Sequence, residues 1–499
     1  MKIPNEVKVV IEKLQEKGFE AYAVGGCVRD LLLARRSESE GGIGKEPEDW
    51  DVTTNAKPEE LQKVFKKSFY ENNFLTVTVL TGSKDPTLSE IEITTYRQEA
   101  KYTDKRHPDE VKFAKSLEED LARRDFTVNA IALSQGADNR KKENNIIDPF
   151  AGQKDLADKI IRAVGDPEER FNEDALRMMR AVRFATTLGF EIEEKTAKAI
   201  IKNSPWLQAI AKERIKDELM KIVMAERAAD GIELLRKLGL LKYIIPELEE
   251  GYGVAQNKHH IYECYEHNLR AFDFAAKKKF NKFVRLASLL HDIGKPKTKR
   301  GQGADSTFYG HEIVGAKMAD QILNRLKFSK KDIEKIVRLV RYHLFYYNVD
   351  EVSESSVRRL VRQAGPENME ELLQVRMADR IGSGVPKAEP YKLRHLKYVI
   401  DKVSQDPISA KMLKASGGDV MKSLDIKPGP KVGQILDVLL GLVLTDPNKN
   451  KKEFLEKEIH KLGKLSDKEL ISLSQKAKKE REEIETKRDE MTKTKYWVT

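Results

Sequence analysis

Asp49-Trp50-Asp51-Val52-Thr53-Thr54 reads as a strand with two carboxylates on one face and Trp50 and Val52 on the other. On an extended chain the two aspartates lie roughly 7 Å apart. Hard oxygen ligands at that spacing suit Mg²⁺ ions shared with a substrate's phosphates. Taken alone, the pair fits a solvated strand edge equally well. Upstream, the apolar segment Phe19 to Gly26 ends in Gly25-Gly26 and runs into Cys27 to Arg36, which has helical spacing and carries Arg29 and Asp30. Glycines there let backbone N–H groups approach an anion at a helix N-terminus, and Arg29 adds charge-assisted bonds. A Gly-Gly in isolation is also a simple tight turn. Downstream, Pro58 to Lys67 reads as a helix, and Phe74 to Leu80 and Ser89 to Tyr96 read as strands. Glu92, between Ile91 and Ile93, is placed to add a third carboxylate to the same face. Ser37 to Glu48 is polar and Gly-rich, as a loop would be.

From about Gly152 the pattern turns helical. Lys159 to Leu188, Thr196 to Ile201, Glu213 to Met224 and Ala228 to Leu238 all carry helical periods, and helices continue to the end. Ser466-Asp467-Lys468-Glu469 spells a capping box near the C-terminus. The expected class is α+β: a mixed sheet with helices over residues 1–150, then an all-α region divided at 151–250, 251–385 and 386–499.

At 499 residues the chain is too long for one core. With 40% hydrophobic and 34% charged residues it does not compose a membrane protein. Its longest apolar run, Ile435 to Leu444, contains Asp437 and is too short to span a bilayer. No apolar h-region follows Met1, and Cys27 and Cys264 are the only cysteines, so a reducing, cytoplasmic setting is expected. The net charge of +10 suits a polyanionic partner such as RNA, although many soluble proteins share it.

Gly25 to Asp30, Asp49-Trp50-Asp51, Arg123-Arg124-Asp125-Phe126-Thr127-Val128-Asn129-Ala130 and Glu173-Asp174-Ala175-Leu176-Arg177 occur in that order. Together they resemble the bacterial class II tRNA nucleotidyltransferase and poly(A) polymerase family of the polymerase β superfamily, over at least residues 20 to 250. Asp148-Pro149-Phe150-Ala151-Gly152 is similar to that family's hinge between head and neck. The resemblance implies a nucleotidyltransferase head in which Asp49 and Asp51, with Glu92 assisting, hold two Mg²⁺ ions. Gly26 and Arg29 would meet the nucleotide, and Arg124, Asp125 and Asn129 would contact it and its ribose. It also implies tRNA as acceptor substrate, no membrane, and CTP and ATP as donors.

Asp174 and Arg177, three apart on the expected helix, make one acceptor and one donor. Cytosine and adenine each present an amino donor beside a ring-nitrogen acceptor, and uracil and guanine present the reverse. Such a pair therefore selects C and A without a template, whereas outside this motif it is an ordinary surface ion pair. Arg180 and Arg183 continue the stripe toward a triphosphate or RNA end. Tyr102 to Asp109 and Ser116 to Leu121 look like the mobile loop of CCA-adding members, which favours CCA addition over poly(A) addition and leaves A-only and CC-only addition as alternatives.

Six of the nine histidines fall between His259 and His343. His291-Asp292 closes an apolar helical run, with His267 before it and His311, His343 and Asp379 after it, each on or at the end of a separate expected helix. The order resembles an HD-domain metal phosphohydrolase. That resemblance implies His267, His291, Asp292 and Asp379 as ligands of a divalent transition metal or Mg²⁺, with His311 and His343 serving a second metal or a substrate phosphate. A degenerate HD fold with the same side chains hydrogen-bonded in its core is the alternative. An HD phosphohydrolase whose head merely binds RNA is the competing reading of the whole chain. Ser416 to Asp419 and Lys427 to Ile435 resemble the family's C-terminal segment, which grips RNA backbone, and they also fit a capped helical turn without a ligand.

Overall fold

The computed structural model describes residues 3–39, 47, 49–71, 76–100, 110–134, 145–257, 261–404 and 410–498. Its first third is built around β1 (Ala21–Val24), β2 (Asp51–Thr54), β3 (Ser68–Glu71), β4 (Thr76–Leu80) and β5 (Glu90–Thr95). The hairpin of β6 (Arg97–Ala100) and β7 (Glu110–Phe113) follows, then β8 (Ala132–Ser134) and β9 (Asn145–Ile147). Among the described residues one seven-stranded sheet runs β3-β4-β5-β2-β1-β8-β9. β2 and β5 are parallel neighbours, and the other pairs are antiparallel. The expected mixed sheet with a helical remainder is therefore what forms. The opening helix Asn5–Glu16 shows why: Val7, Val10, Ile11 and Leu14 recur at helical spacing and are all buried.

Several boundaries differ from the sequence reading. The strand bearing the aspartate pair begins at Asp51, so Asp49 sits in a bend before it. On the β1 side the ladder ends where Ala23 faces Val52, because the chain turns away at Gly25. The helix after Cys27 runs on to Ser39, so Ser37 to Ser39 are helical; residues 40–46 and 48 of the expected loop lie outside the described residues. The Pro58 helix stops at Val64 to make room for β3, an edge strand missing from the sequence reading. Tyr102 to Asp109 lie outside the described residues, whereas Ser116 caps the short helix Leu117–Ala122 by accepting from Glu119 N–H at 3.3 Å.

The largest correction falls on Lys159 to Leu188, read as one helix. Ile160–Ile161 instead pairs with Glu191–Ile192, and two helices follow, Pro167–Glu173 and Leu176–Leu188. Gly165 turns with φ 69°, and Pro167 bars its predecessor from helical backbone, so Asp166 becomes an N-cap. Asp174 then adopts extended backbone and its carboxylate accepts from Leu176 N–H at 3.0 Å, starting the second helix.

The chain as a whole divides into two compact units: one comprises Met1–His343 with Glu371–Pro386, and the other Leu344–Glu370 with Lys387–Thr499. In the second, Ile435, Leu439 and Leu440 of helix Pro430–Thr445 share a core with Leu455, Ile459 and Leu470. The apolar run near residue 440 is thus interior, and no helix among the described residues is long and apolar enough to cross a membrane. Ser466 forms the expected capping box on the 30-residue helix Asp467–Tyr496. Lys431 donates to the Gly463 carbonyl at 3.2 Å.

Candidate functional site

A polar cavity of about 470 Å³, a size that suits a nucleotide, opens at the end of β1 and β2. Gly25, Gly26, Cys27, Arg29 and Asp30 form one side, Asp49 and Asp51 another, and Arg124, Asp125, Asn129, Arg180, Arg183 and Phe184 the rest. Gly25 permits this closeness. Its φ is 85°, and a Cβ there would meet an Arg124 guanidinium nitrogen at 2.8 Å.

Asp49 is exposed and Asp51 half-buried. Burial pushes the Asp51 carboxyl up, Arg124 opposes that, and Asp49 adds to it. Two carboxylates in one cavity whose repulsion is only partly relieved are what a hard divalent cation satisfies. Glu92 stands directly beside Asp51 on the adjacent parallel strand, on the same face, but it is exposed and absent from the cavity wall.

Asp125 accepts from Arg180 Nε at 2.7 Å and from Asn129 Nδ2 at 3.2 Å. Burial pushes its carboxyl up, yet Arg180 and Asn129 outweigh that and hold it down at about 2. Arg29 donates to Asn129 Oδ1 at 2.8 Å and pairs with Asp30. Arg183 stacks on Phe184 at 3.9 Å and pairs with the buried Glu218 at 2.7 Å. Arg124 Nε is buried without a hydrogen-bond partner, which leaves donor capacity for an anion.

Asp174 and Arg177 are brought near this cavity but not onto its wall, and they are not the one-helix pair that their spacing suggests. The Asp174 carboxylate takes Arg214 at 2.7 Å. Arg177 pairs with Glu173 and donates to the Arg123 carbonyl at 3.1 Å, which joins it to the Arg124-Asp125 segment. Arg214 and Glu218 were not singled out from sequence. The signal was available: they are four apart on helix Lys212–Met224, hence on one face, and each holds a residue of the Asp174 to Arg183 stripe.

A second cluster sits in the helical body. His267 lies within helix Cys264–Lys277, His291 at the end of Lys282–Leu290, His311 at the start of His311–Arg325, His343 at the end of Lys330–Tyr342, and Asp379 within Met369–Gly382. All six side chains, Asp292 included, are buried. His267, His291, Asp292 and Asp379 form one potential metal-holding group, and Asp292, His311 and His343 form another. Asp292 belongs to both: its Oδ2 lies 3.1 Å from His267 Nε2, while its Oδ1 faces His311 Nε2 at 3.2 Å and His343 Nε2 at 3.5 Å. That Oδ1 is buried with no hydrogen-bond partner, an atom better suited to a cation than to a packed core. Burial alone would lower the His291 pKa, but Asp292 and Asp379 raise it to about 10. Gly294 lets the chain pass here, since a Cβ would sit 2.4 Å from the His311 carbonyl. Lys295, also overlooked in the sequence, places its buried ammonium 2.6 Å from Asp292 Oδ2.

Three family models match in succession: the poly A polymerase head domain over residues 21–162, the probable RNA and SrmB-binding site of polymerase A over 189–251, and the HD domain over 264–383. The CCA-adding enzyme of Ligilactobacillus salivarius is 35% identical over 477 residues, covering 92% of this chain and 99% of that protein. The A-adding tRNA nucleotidyltransferase of Deinococcus radiodurans is 36% identical over 338 residues, covering 65% of this chain and 74% of its own. Among solved structures, the Bacillus stearothermophilus CCA-adding enzyme in complex with CTP is 28% identical, with a TM-score of 0.57 over 92% of this chain and 98% of that one. The cavity, the histidine cluster and a full-length match at this identity together place the chain in the class II family of CCA-adding tRNA nucleotidyltransferases.

Proposed function

We propose that the protein restores the 3′ end of tRNA by adding C, C and A from CTP and ATP without a nucleic-acid template. The observation that carries this is the single cavity in which Asp49 and Asp51 face Arg29, Arg124, Arg180 and Arg183 across a glycine turn. Two Mg²⁺ ions held by Asp49 and Asp51 would supply an activated 3′-hydroxyl and neutralise the leaving pyrophosphate. The chain's own groups do the rest. The Gly25-Gly26 turn and the arginines hold the triphosphate, and Asp125 and Asn129, fixed by Arg180 and Arg29, meet the ribose. Asp174 accepts a base amino group while Arg177 donates to the neighbouring ring nitrogen. Glu92 remains an outer carboxylate of the Asp51 face. In this reading a head over 1–150, a neck over 151–250 and an HD body over 251–385 precede a tail over 386–499 that grips tRNA, with Leu344–Glu370 sharing the tail's compact unit. Two buried free cysteines suit the reducing cytoplasm.

The test is extension, resolved to single nucleotides, of tRNAs that end before CCA, after C and after CC, with Mg²⁺ and CTP, ATP or both. Addition of C, C and A followed by arrest is expected. Adding only the terminal A, the activity named for the Deinococcus relative, would replace this reading, as would stopping after CC or long A tails.

The shared Asp292 supports a second activity, hydrolysis of phosphate ends of RNA or nucleotides by one or two divalent ions at the HD cluster. Asp379→Ala is expected to lower phosphate release by at least about a hundredfold, with CCA addition retained. Chelation followed by resupply of Mg²⁺, Mn²⁺, Co²⁺ or Ni²⁺ singly, with phosphate release as readout, identifies the metal. Phosphate release at the same rate after Asp379→Ala would leave the cluster without a hydrolytic role.

A further inference from the structure

Asp120 carries a fully buried carboxylate for which the chemistry above has no use. Its Oδ1 accepts from Arg123 Nε at 2.9 Å and from the Arg97 backbone N–H at 3.4 Å. Its Oδ2 accepts the Thr53 hydroxyl at 3.0 Å and faces the Arg124 guanidinium at 3.7 Å. Thr53 lies two residues beyond Asp51 on β2, so its hydroxyl projects from the face that bears Asp51. Asp120 is thus hydrogen-bonded to the strand that begins at Asp51 and ion-paired with Arg124.

Arg124 stands between two acids. A guanidinium nitrogen of Arg124 and an Asp51 carboxylate oxygen both lie within 4 Å of the same point beside Gly25. A guanidinium beside a half-buried carboxylate closes into a direct ion pair unless something else holds it. Such a pair would compensate the Asp51 charge and use up the donors that a triphosphate needs. Asp120, fully buried and absent from the cavity wall, faces another nitrogen of the same guanidinium.

We infer that Asp120 is a positioning residue that holds Arg124 back from Asp51, keeping the carboxylate available to a divalent ion and the guanidinium available to the triphosphate. The inference rests on the nucleotidyl-transfer reading of the cavity. It separates Asp120 from a plain core ion pair, because the loss of a core pair would weaken nucleotide binding equally with and without metal.

The experiment measures CTP affinity of the full-length protein by calorimetry, in Mg²⁺ and in EDTA, with thermal melting as a check on folding. The unsubstituted protein is compared with Asp120→Asn, Asp120→Glu, Arg124→Gln and the double variant Asp120→Asn, Arg124→Gln. Asp120→Asn is expected to weaken CTP binding in both conditions but by about tenfold more in Mg²⁺ than in EDTA, and Asp120→Glu to recover most of the Mg²⁺ gain. With Arg124→Gln already present, Asp120→Asn should change nothing further. A full Mg²⁺ gain in folded Asp120→Asn would overturn the inference, as would parallel losses with and without metal. If Asp120→Asn alone fails to fold, the comparison of Arg124→Gln with the double variant decides: equal Mg²⁺ gains support the role, and a further loss in the double overturns it. If the unsubstituted protein shows no Mg²⁺ gain, the nucleotidyl-transfer reading itself fails, and the inference with it.

Discussion

Asp51→Asn is expected to cut nucleotide incorporation on all three tRNA primers by at least about a thousandfold, roughly 4 kcal/mol of transition-state stabilisation, without lowering the melting temperature. The two effects have opposite signs for one reason. Burial, reinforced by Asp49, raises the Asp51 carboxyl in the folded protein. Between the ordinary carboxyl range and that raised value, the folded state binds more protons than the unfolded one, so this group's contribution to stability falls as pH rises through the window. At neutral pH the ionised carboxylate is therefore a burden on the metal-free fold, and asparagine removes it. Single-turnover extension beside thermal melting, both at neutral pH, checks the pair of expectations. A melting temperature well below that of the unsubstituted protein would mean that Asp51 is structural.

Asp174→Ala is expected to collapse discrimination rather than speed alone. One bidentate base contact is worth about 1–3 kcal/mol, so UTP and GTP incorporation relative to CTP and ATP should rise by about ten- to a hundredfold. The check is misincorporation at each of the three positions with all four nucleotides offered singly. Arg214→Ala should act in the same direction and more weakly, because Arg214 holds the Asp174 carboxylate at 2.7 Å while a carboxylate retains lone pairs for a base amino group. Uniform loss of CTP and ATP incorporation with discrimination intact would remove Asp174 from base selection.

The residues whose chemistry shows in their type and order were legible before the structure. The glycine turn, the aspartate pair and the Arg124-Asp125 segment share one cavity, and the six histidine-cluster residues converge although as many as 112 positions separate them in sequence. What escaped the sequence was local turn chemistry and long-range pairing. Asp174 looked helical because nothing in a helical period records that an aspartate will cap the following helix. Arg214 and Glu218 were not singled out, and Asp120 fell within a segment that resembles a mobile loop. Their partners lie 40, 35 and 67 positions away, so the four-residue spacing of Arg214 and Glu218 marks a shared helix face without naming what that face meets.

The break at Asp174 separates the alphabet from the chemistry. Of the groups proposed for the chemistry, Asp51 opens a strand of the sheet and Asp49 precedes it, whereas Asp174 and Arg177, proposed to read the base, sit at the junction of two helices, with Asp174 held by Arg214 of a third. With base selection at Asp174 and Arg177, as proposed, a lineage would revise which letters it writes through mutations in these helices while its nucleotidyl-transfer machinery is inherited intact. Chimeras that exchange the neck between relatives of different terminal specificity would expose that modularity, transferring the dialect and leaving the pen unchanged.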